Sequence, residues 1–381
     1  MGGHVVVAPD KFKGSLGAPG VARAVADGLR AAVPGVDVRE HPVADGGDGT
    51  VDAALSAGYD RHEVRCTGPT GEPVTAALAV AGEVAVVELA EASGLRRLPG
   101  GRPAALTATS RGTGELIRAA LDLGVRQVVL GIGGSACTDG GAGMVQALGG
   151  RLLDAAGAEL APGGAALADL DRLDLSGFDP RVGFDPRVGA TGFVIASDVD
   201  NPLLGLHGAA AVYGPQKGAS PADVRVLDAA LTRWAAVART ATGVDAAGMP
   251  GAGAAGGVGF AAVVFLGARL RSGIDYLLDL LQVRAAIQGA RLVVTGEGSL
   301  DDQTLRGKAP AGVAAAARAA GVTTVAVAGR SSLDPSALEA AGIARAYVLS
   351  DLEPDPERSM REPAPLLRAL ASRIAADWLG G

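Results

Sequence analysis

Short apolar runs and helical stripes alternate along the first sixty residues. An uninterrupted apolar run at residues 4–8 predicts a buried strand. Val21, Val25 and Leu29 then recur at the spacing of one helix face, and Pro34-Gly35 ends that stripe. Residues 36–43 alternate between apolar and polar, which predicts a second strand, and 47–57 predicts a second helix. The pattern is β-α-β-α.

The carboxyl-terminal part repeats this rhythm. Strands are predicted at residues 290–294, 323–328 and 344–349, and an amphipathic helix at 366–379. A further helix is expected between the first two of these strands, with Pro310 near its start. Strands that alternate with helices predict a parallel sheet covered by helices on both faces.

The middle of the chain is less regular. Strands are predicted at 84–90 and 125–130, and the stripe of Leu116, Ile117, Ala120 and Leu121 predicts a helix between them. Residues 160–190 have the composition of loops. Within them, GFDPRV at 177–182 is repeated directly at 183–188, which we interpret as an insertion in a surface loop.

The length of 381 residues favours two domains, with one large α/β domain as the alternative. We expect an α/β fold with two α/β lobes, one of them Rossmann- or flavodoxin-like with a parallel sheet, and an active site in the cleft between the lobes. The two ends of the chain, residues 1–65 and 285–381, are expected to form the Rossmann- or flavodoxin-like lobe. Residues 66–284 are expected to form the second lobe, although the strand at 125–130 could instead join the first sheet.

Composition narrows the functional classes. Hydrophobic residues make up 48% and charged residues 20%, which excludes a wholly disordered chain. The formal net charge of -7 offers no basic surface for nucleic acid. Cys66 and Cys137 form no CxxC motif, which favours a reducing cytoplasm. No signal peptide is expected, because the first strand begins at His4. The uncharged stretch at 246–268 contains Pro250 and many glycines, typical of a binding loop and unsuited to a membrane helix.

Glycine is the compositional outlier, with 58 residues that cluster beside Asp, Ser and Thr. The first such motif, at residues 8–16, follows the first strand and contains Lys11, Lys13 and Ser15. Two ammonium groups and a hydroxyl at a helix start would suit an anion. The alternative is a solvated turn with a serine cap.

The second motif, at residues 44–50, places Asp45 and Asp48 among glycines after the second strand. These carboxylates could hold Mg²⁺ through water or orient a substrate hydroxyl. The alternative is an ordinary Asp-Gly turn.

The third motif, at residues 131–144, is the richest in glycine and follows the strand predicted at 125–130. Its backbone N–H groups could face a phosphate, and Asp139 lies near them. Gly131, Gly133 and Ala136 also match the dinucleotide pattern GxGxxA, so a nicotinamide dehydrogenase is an alternative. Glycines continue to Gly143, however, so the helix cannot begin where that pattern requires it.

The remaining two motifs also follow predicted strands. Residues 197–205 carry Asp198, Asp200 and Asn201, where a general base or a metal-binding carboxylate is expected. Lys217 lies shortly after them. Residues 295–304 carry Glu297 and Ser299, with Lys308 nearby. A P-loop is absent from the sequence, but five loops that mix Asp, Gly and Lys favour phosphoryl transfer, which depends mainly on positioning and charge neutralisation.

The sequences of these motifs resemble the type I glycerate kinase family. APDKFKGSL, ADGGDGT, GIGGSACTDGGAGM, DVDNPLLG and TGEGSLDDQTLRGKAP, with the glycines at 253–257, occur in the family order from Ala8 to about Pro310. The resemblance implies ATP-dependent phosphorylation of D-glycerate, usually at the 2-hydroxyl, and two α/β lobes. Cys137 departs mildly from the family pattern, which usually has Asn or Thr nearby.

We assign hypothetical roles to the motif residues on chemical grounds. Lys13 and Lys217 would bind the glycerate carboxylate or the transferred phosphoryl group. Asp198 would orient or deprotonate the hydroxyl, with Asp45 and Asp48 as alternatives. Further substrate contacts are assigned to Lys11, Ser15 and Asn201, nucleotide contacts to Gly133, Gly134, Ser135, Gly256, Gly257, Glu297 and Ser299, and Mg²⁺ contacts to Asp139 and Asp200.

The expected small molecules are therefore ATP, Mg²⁺ and D-glycerate. We expect a cytoplasmic protein without nucleic-acid or membrane partners, and a homodimer is the assembly considered. Two other functions remain open at this point: the nicotinamide-dependent dehydrogenase of a small hydroxy acid, and a non-catalytic sensor of sugar acids.

Overall fold

Two large β-sheets and one short strand pair organise residues 3–179, 181–182 and 191–380, which the computed structural model describes. In chain order the strands of these residues are β1 (Val5–Pro9), β2 (Val38–Glu40), β3 (Asp60–Thr67), β4 (Pro73–Ala81), β5 (Val84–Glu88), β6 (Gln127–Gly131), β7 (Arg151–Leu153), β8 (Arg172–Asp174), β9 (Gly192–Ala196), β10 (Arg269–Arg271), β11 (Leu292–Leu300), β12 (Thr324–Ser331) and β13 (Arg345–Val348).

The helices of the same residues vary from one turn to six. They are α1 (Ala18–Ala32), α2 (Thr50–Ser56), α3 (Leu89–Ser93), α4 (Arg111–Asp122), α5 (Ala142–Ala147), α6 (Ala209–Tyr213), α7 (Pro221–Thr242), α8 (Ala254–Leu266), α9 (Gly273–Leu280), α10 (Val283–Ile287), α11 (Ala309–Ala319), α12 (Pro335–Ala340), α13 (Pro356–Arg361) and α14 (Pro363–Trp378). Short 3-10 turns lie at Leu95–Arg97, Pro99–Gly101, Ala165–Asp169, Pro215–Lys217, Thr304–Arg306 and Leu349–Asp351.

The chain divides into two compact units, each built from separate stretches. The first unit runs up to Asp45, resumes for Asp52–Gly58 and continues from Gly273 onward. The second unit comprises Gly46–Val51 and Tyr59–Ser272. The predicted lobe boundaries differ from these breaks. β3 falls in the second unit because it pairs with β4 along its whole length, and α9 falls in the first because it packs against α11.

The first unit is built on a parallel sheet with the order β13-β12-β11-β1-β2. Its strand β1, which lies between β11 and β2, is buried throughout, as expected for a strand covered on both faces. Side chains of β12 alternate between two cores, with Val325 and Val327 on the side of α1 and α14, and Ala326 and Ala328 on the side of Ala314 in α11. The predicted parallel sheet with helices on both faces is confirmed.

The strand order of this sheet is the flavodoxin-like one. β1 has β2 on one side and β11 on the other, so the direction in which successive strands are added reverses between β1 and β11. In open parallel sheets, ligands bind beyond the carboxyl ends of the strands at such a reversal. This places the residues that follow β1 and those at the end of β11 at the position where a ligand is expected.

The second unit contains a mixed sheet with the order β10-β9-β6-β5-β4-β3. β5, β6, β9 and β10 are parallel, whereas β4 and β3 are antiparallel additions at one edge. The strand predicted at 125–130 is β6, and it belongs to this sheet because it pairs with β5 and β9. The alternative that it joins the first sheet was wrong.

Residues 160–182 contain more structure than the loop that was predicted. They include β8, which pairs with β7, and a 3-10 turn at Ala165–Asp169. In the first GFDPRV copy, Phe178 packs against Phe265 with ring centroids 6.3 Å apart. The second copy, residues 183–188, lies outside the described residues, so its interpretation as an insertion stays a prediction.

The uncharged stretch at 246–268 forms a buried helix for about half of its length. α8 occupies its second half, and Phe260 and Phe265 of this helix are fully buried beside Trp234 of α7. The apolar composition therefore reflects core packing on all sides of the helix. No helix of the described residues is long and apolar enough to cross a membrane.

Candidate active site

A group of carboxylates lies beyond the carboxyl ends of neighbouring strands in the first unit. Asp10 follows β1 directly, and its backbone N–H donates to the carbonyl of Gly296 in β11 at 2.8 Å. Glu297 is the next residue of β11. Asp45 follows β2 on the other side of β1, where the Val43 N–H donates to the Pro9 carbonyl at 2.9 Å. The strand reversal thus gathers three acidic residues that are distant in sequence.

Asp10 is the most perturbed member of this group. Its residue is only 5% exposed, and burial raises the pKa of its carboxyl from an ordinary 3.8 to about 7. Lys11 opposes this rise in pKa, whereas the charge of Asp45 adds to it. A carboxylate with a pKa near 7 is matched to the work of a general base at neutral pH.

Glu297 is held by two partners from the loop that follows β11. The Thr304 hydroxyl donates to its Oε1 at 2.5 Å, and the Lys308 ammonium lies 3.6 Å from its Oε2. Burial raises the pKa of Glu297, opposed by Thr304 and Lys308, while Asp301 and Asp45 add to the rise. The charge of Asp45 therefore acts on both Asp10 and Glu297.

The other predicted residues of the first unit lie in the loop after β1 and near the end of β11. Lys11 is half-buried against Asp10, and Lys13 is exposed. The Ser15 hydroxyl donates to the Met360 carbonyl, so it fastens the loop after β1 to α13. Ser299 accepts a hydrogen bond of 3.2 Å from Arg330 on the neighbouring strand β12.

A second polar group lies beyond the ends of β5 and β6 in the second unit. Glu88, the last residue of β5, is 1% exposed and accepts hydrogen bonds of 3.1 Å from the N–H groups of Gly49 and Val51. Burial raises the pKa of Glu88 to about 7, and its hydrogen bonds oppose the rise. Arg96 lies 3.4 Å from Asp48 and 3.7 Å from Glu88.

The glycine-rich loop after β6 packs against this group. The Gly133 N–H donates to the Gly46 carbonyl at 3.1 Å, and the Gly134 carbonyl accepts from the Leu95 N–H at 2.9 Å. A side chain at Gly134 would meet the Asp48 carboxylate, because an added Cβ would lie 2.5 Å from Asp48 Oδ1. The structure thus brings the predicted residues Asp48, Gly133 and Gly134 together, with Ser135 next to them in a short bridge to Gly94.

The loop after β9 keeps its carboxylates at the surface. Asp198 and Asp200 are both exposed. The Asn201 amide is occupied on both sides, since it donates to the His207 carbonyl at 2.9 Å and accepts from the Tyr213 hydroxyl at 2.6 Å. These contacts favour a structural role for Asn201 within the loop rather than the substrate contact that was predicted.

Asp139 is buried and fully occupied by hydrogen bonds. Its carboxylate accepts from the Ser110 N–H at 2.8 Å, the Ser110 hydroxyl at 2.9 Å, the Gly141 N–H at 3.1 Å and the Gly143 N–H at 3.2 Å. This geometry favours a structural role and opposes the Mg²⁺ role that was predicted. No cluster of three or more His, Cys, Asp or Glu suited to a metal occurs among the described residues.

Lys217 is likewise withdrawn from solvent, with 1% exposure, and its ammonium donates to the Cys137 carbonyl at 2.5 Å. Burial lowers the pKa of this ammonium. Direct contact with a substrate, as predicted, is therefore not available to this side chain in the described structure. Gly256 and Gly257 pack against the backbone of residues 137–140, so their lack of side chains is explained without a bound nucleotide.

A family model for the glycerate kinase family matches residues 5–379 of the chain. The chain belongs to the glycerate kinase family. It is 44% identical to the glycerate kinase of Bacillus subtilis over 98% of this chain and 97% of that protein. It is 45% identical to the glycerate 2-kinase of Escherichia coli, over 89% of this chain and 88% of that protein.

A solved structure agrees with this membership. A crystal structure from Salmonella typhimurium LT2, named as glycerate kinase 2, superimposes with a TM-score of 0.82 at 42% identity and covers 99% of both chains. The predicted family resemblance and the kinase class are thus confirmed. The dehydrogenase alternative is not supported, and α5 begins at Ala142, too far beyond Gly131 for a dinucleotide-binding turn.

Three residues of these polar groups were missed from the sequence. Asp10 lies beside Lys11 inside the first motif, and its signal in the sequence is that it is the first carboxylate after a wholly apolar strand. Glu88 offered the same signal at the end of β5. Arg96 carries no local signal, because its role depends on its distance from Asp48.

Proposed function

We propose that this member of the glycerate kinase family transfers the γ-phosphoryl group of ATP to the 2-hydroxyl of D-glycerate, giving 2-phosphoglycerate and ADP. Family membership supports the kinase reaction, and the relative in Escherichia coli is named a glycerate 2-kinase. The structural observation that carries the proposal is the buried carboxylate of Asp10, which lies beside Lys11 at the strand reversal.

Asp10 is our candidate for the general base. In the reaction, a bond forms between the glycerate hydroxyl oxygen and the γ-phosphorus, and the bond from that phosphorus to the β–γ bridging oxygen breaks. The hydroxyl proton passes to the Asp10 carboxylate, and ADP leaves with the bridging oxygen. A carboxylate whose pKa is raised to about 7 accepts this proton more readily than an ordinary aspartate. Asp198, exposed after β9, is the alternative base.

The cations near these carboxylates would bind the anionic substrates. Lys11 contacts Asp10, and Lys308 contacts Glu297. Lys13 is exposed in the loop between Lys11 and α1. We assign the glycerate carboxylate or the transferred phosphoryl group to Lys11 and Lys13. Each ammonium would then offset charge that develops on phosphate oxygens in the transition state.

The same acidic residues suit a divalent cation. Asp45 raises the pKa of both Asp10 and Glu297, which indicates a local excess of negative charge. The three do not form a complete metal cage, but Mg²⁺ in kinases commonly takes only one or two carboxylates and completes its shell with phosphate and water oxygens. We therefore propose Asp45 and Glu297 as Mg²⁺ contacts, with Asp200 as the remaining candidate from the sequence. When bound, Mg²⁺ would neutralise phosphate charge.

In the second unit we assign nucleotide phosphates to the turn at Gly133–Ser135. Gly134 is exposed, and this turn carries no side chain larger than serine, so phosphate oxygens could approach its backbone. Arg96, whose side chain is 62% exposed beside Asp48, supplies a guanidinium to the same region. Ser299 remains a proposed nucleotide contact.

The function is tested by coupled measurement of ADP release. Purified protein with ATP and Mg²⁺ should release ADP when D-glycerate is added, and much less with L-glycerate or with no acceptor. Phosphorus and proton NMR of the product should identify 2-phosphoglycerate. Formation of 3-phosphoglycerate would overturn the assignment of the hydroxyl, and absence of glycerate-dependent ADP release would overturn the kinase proposal. Binding of D-glycerate without turnover would instead indicate a sensor.

A further inference from the structure

The ammonium of Lys217 is an unusual buried charge in the second unit. It ends the 3-10 turn Pro215–Lys217, is 1% exposed and donates to the backbone carbonyl of Cys137 at 2.5 Å. A buried charge is costly unless it is used in strong hydrogen bonds or ion pairs. The carboxylate of Asp139 is close enough to oppose the loss of this charge. The contact with Cys137 and the nearby Asp139 carboxylate therefore offset the cost of burying this lysine.

The Cys137 carbonyl is also confined from the side of Gly256. A Cβ added at Gly256 would lie 2.2 Å from this oxygen and 2.7 Å from Thr138 Cα. The Gly256 carbonyl in turn accepts from the Gly140 N–H at 2.9 Å. Lys217 and Gly256 therefore hold the same stretch of backbone, and we call residues 137–140 the clamped turn.

Two further contacts fix the end of the clamped turn. The Trp234 indole N–H donates to the Gly140 carbonyl at 2.9 Å, and Asp139 joins the turn to Ser110 at the start of α4. The Thr138 hydroxyl is buried and has no hydrogen-bond partner among the described residues. The turn is thus held mainly through its backbone, and the side chains of Asp139 and Cys137 also contribute hydrogen bonds.

We propose that Lys217 is a positioning residue for phosphoryl transfer, which holds the Cys137 carbonyl and so fixes the adjoining turn at Gly133–Ser135 for the nucleotide phosphates. This inference rests on the proposed function. It replaces the direct substrate contact expected from the sequence, because Lys217 acts through the backbone that it holds and touches no substrate itself. Only one residue, Ala136, separates the clamped turn from Ser135.

The kinetic test is the Lys217→Met variant, which keeps the aliphatic length of the side chain and removes its donor. The KM for ATP should rise about 10-fold or more, the effect of one lost hydrogen bond to a charged group. At saturating ATP, kcat and the KM for D-glycerate should stay within about 3-fold of the wild type. Leu78→Ala is the control, because Leu78 is fully buried in β4 of the same unit, outside both the clamped turn and the turn at Gly133–Ser135.

A second readout does not depend on activity. Hydrogen exchange followed by mass spectrometry should show faster exchange in peptides that cover residues 131–143 of Lys217→Met, but not in the same peptides of Leu78→Ala. If Lys217→Met fails to fold, Trp234→Phe provides the second variant. It removes the donor to Gly140 while it keeps an aromatic ring, and it should raise the KM for ATP and the exchange rate in the same direction.

The outcomes separate this inference from the proposed function. Unchanged ATP kinetics and unchanged exchange in a folded Lys217→Met variant would overturn the positioning role. A selective rise in the KM for D-glycerate would also overturn it and would favour direct substrate binding. If the wild-type enzyme releases no ADP with D-glycerate, the proposed function fails, and with it the catalytic meaning of Lys217. Hydrogen exchange would then still report whether Lys217 holds the clamped turn.

Discussion

The ammonium of Lys11 lies 3.4 Å from both carboxylate oxygens of Asp10, and the Lys11 backbone N–H donates to the same carboxylate at 2.6 Å. The two residues follow β1 directly, so the strand and the reversal in strand order determine where the pair stands. Lys11 limits the rise in pKa that burial imposes on Asp10. The pair therefore keeps a carboxylate with a pKa of about 7 next to a cation that suits an anionic substrate.

Asp10→Asn should remove the proposed base with little change in shape. We expect kcat to fall by about 10²-fold or more, while the KM for ATP changes little. In the wild type, kcat/KM for D-glycerate should rise with pH and level off above about 7, because the carboxylate must be unprotonated to accept the proton. Steady-state ADP release across pH 5–9 measures both effects. Asp27→Asn, at a surface position of α1, is the matched control and should leave both unchanged.

Asp198→Asn distinguishes the alternative base. If Asp10 is the base, this exposed residue should tolerate the change with a loss of kcat below about 10-fold. A loss of about 10²-fold or more, combined with near-normal turnover of Asp10→Asn, would assign the base to Asp198 instead. Measuring kcat for the two variants side by side, with circular dichroism to verify folding, decides between them.

Stability should depend on the ionisation of Asp10. Because its pKa is higher in the folded chain than the ordinary 3.8, the folded state binds the extra proton between about pH 4 and 7. This contribution to stability is present in full below pH 3.8 and is lost as pH rises through about 7, with an upper limit of about 4 kcal/mol.

Urea unfolding at pH 5 and pH 8 tests this dependence. Asp10→Asn should be more stable relative to the wild type at pH 8 than at pH 5, since the amide cannot ionise. Glu339→Gln, at an exposed position, should show no such change with pH. An Asp10→Asn effect of equal size at both pH values would contradict the raised pKa.

Alanine substitutions at Gly256 and Gly243 distinguish the free-energy cost of close packing from the cost of backbone conformation. Both have positive φ, +68° and +75°, but a Cβ at Gly256 would meet the Cys137 carbonyl, whereas nothing lies within 4 Å of a Cβ at Gly243. Gly243→Ala should therefore cost only the left-handed backbone, about 1–2 kcal/mol. Gly256→Ala should cost at least about 1 kcal/mol more, because the clamped turn must shift. Equal free energies of unfolding would show that packing against Cys137 is unimportant.

Glu88→Ala should destabilise the second unit. It leaves the Gly49 and Val51 N–H groups without their acceptor, at a cost of about 2–4 kcal/mol in the free energy of unfolding. The control Glu83→Ala removes an acidic side chain that is 69% exposed and paired with Arg126, and should cost below about 0.5 kcal/mol. A similar midpoint of urea unfolding for both variants would argue against the anchoring role of Glu88.

Local patterns predicted much of the secondary structure of the first unit. The apolar run at 4–8 and the stripe of Val21, Val25 and Leu29 correspond to β1 and α1, because burial on both faces of a strand or on one face of a helix leaves a direct trace in the sequence. Residues up to 65 were expected in the first lobe, whereas β3 falls in the second unit. Its partner β4 was not predicted, and pairing across an antiparallel turn decides to which sheet a strand belongs.

The candidate site was predicted in its motifs more successfully than in its roles. Lys11, Asp48, Gly133 and Glu297 were predicted to lie in functional loops after strands. In the structure each of them belongs to one of the two polar groups described above. It could not distinguish exposed carboxylates from buried ones. Asp139 and Asp198 look equivalent in the sequence, because each is an aspartate in one of the motifs. In the structure Asp139 is buried and hydrogen bonded, whereas Asp198 is exposed.

The sequence by itself determined the family, the alternation of strands and helices, and the places where chemistry could occur. Only the tertiary structure decided which groups are charged, reachable or enclosed. The physical reason is that burial and hydrogen bonding depend on partners far away in the chain. The buried ammonium of Lys217 donates to the carbonyl of Cys137, eighty residues earlier in the chain. The buried carboxylate of Glu88 accepts from the backbone N–H of the distant Gly49. No local pattern of side chains records such contacts.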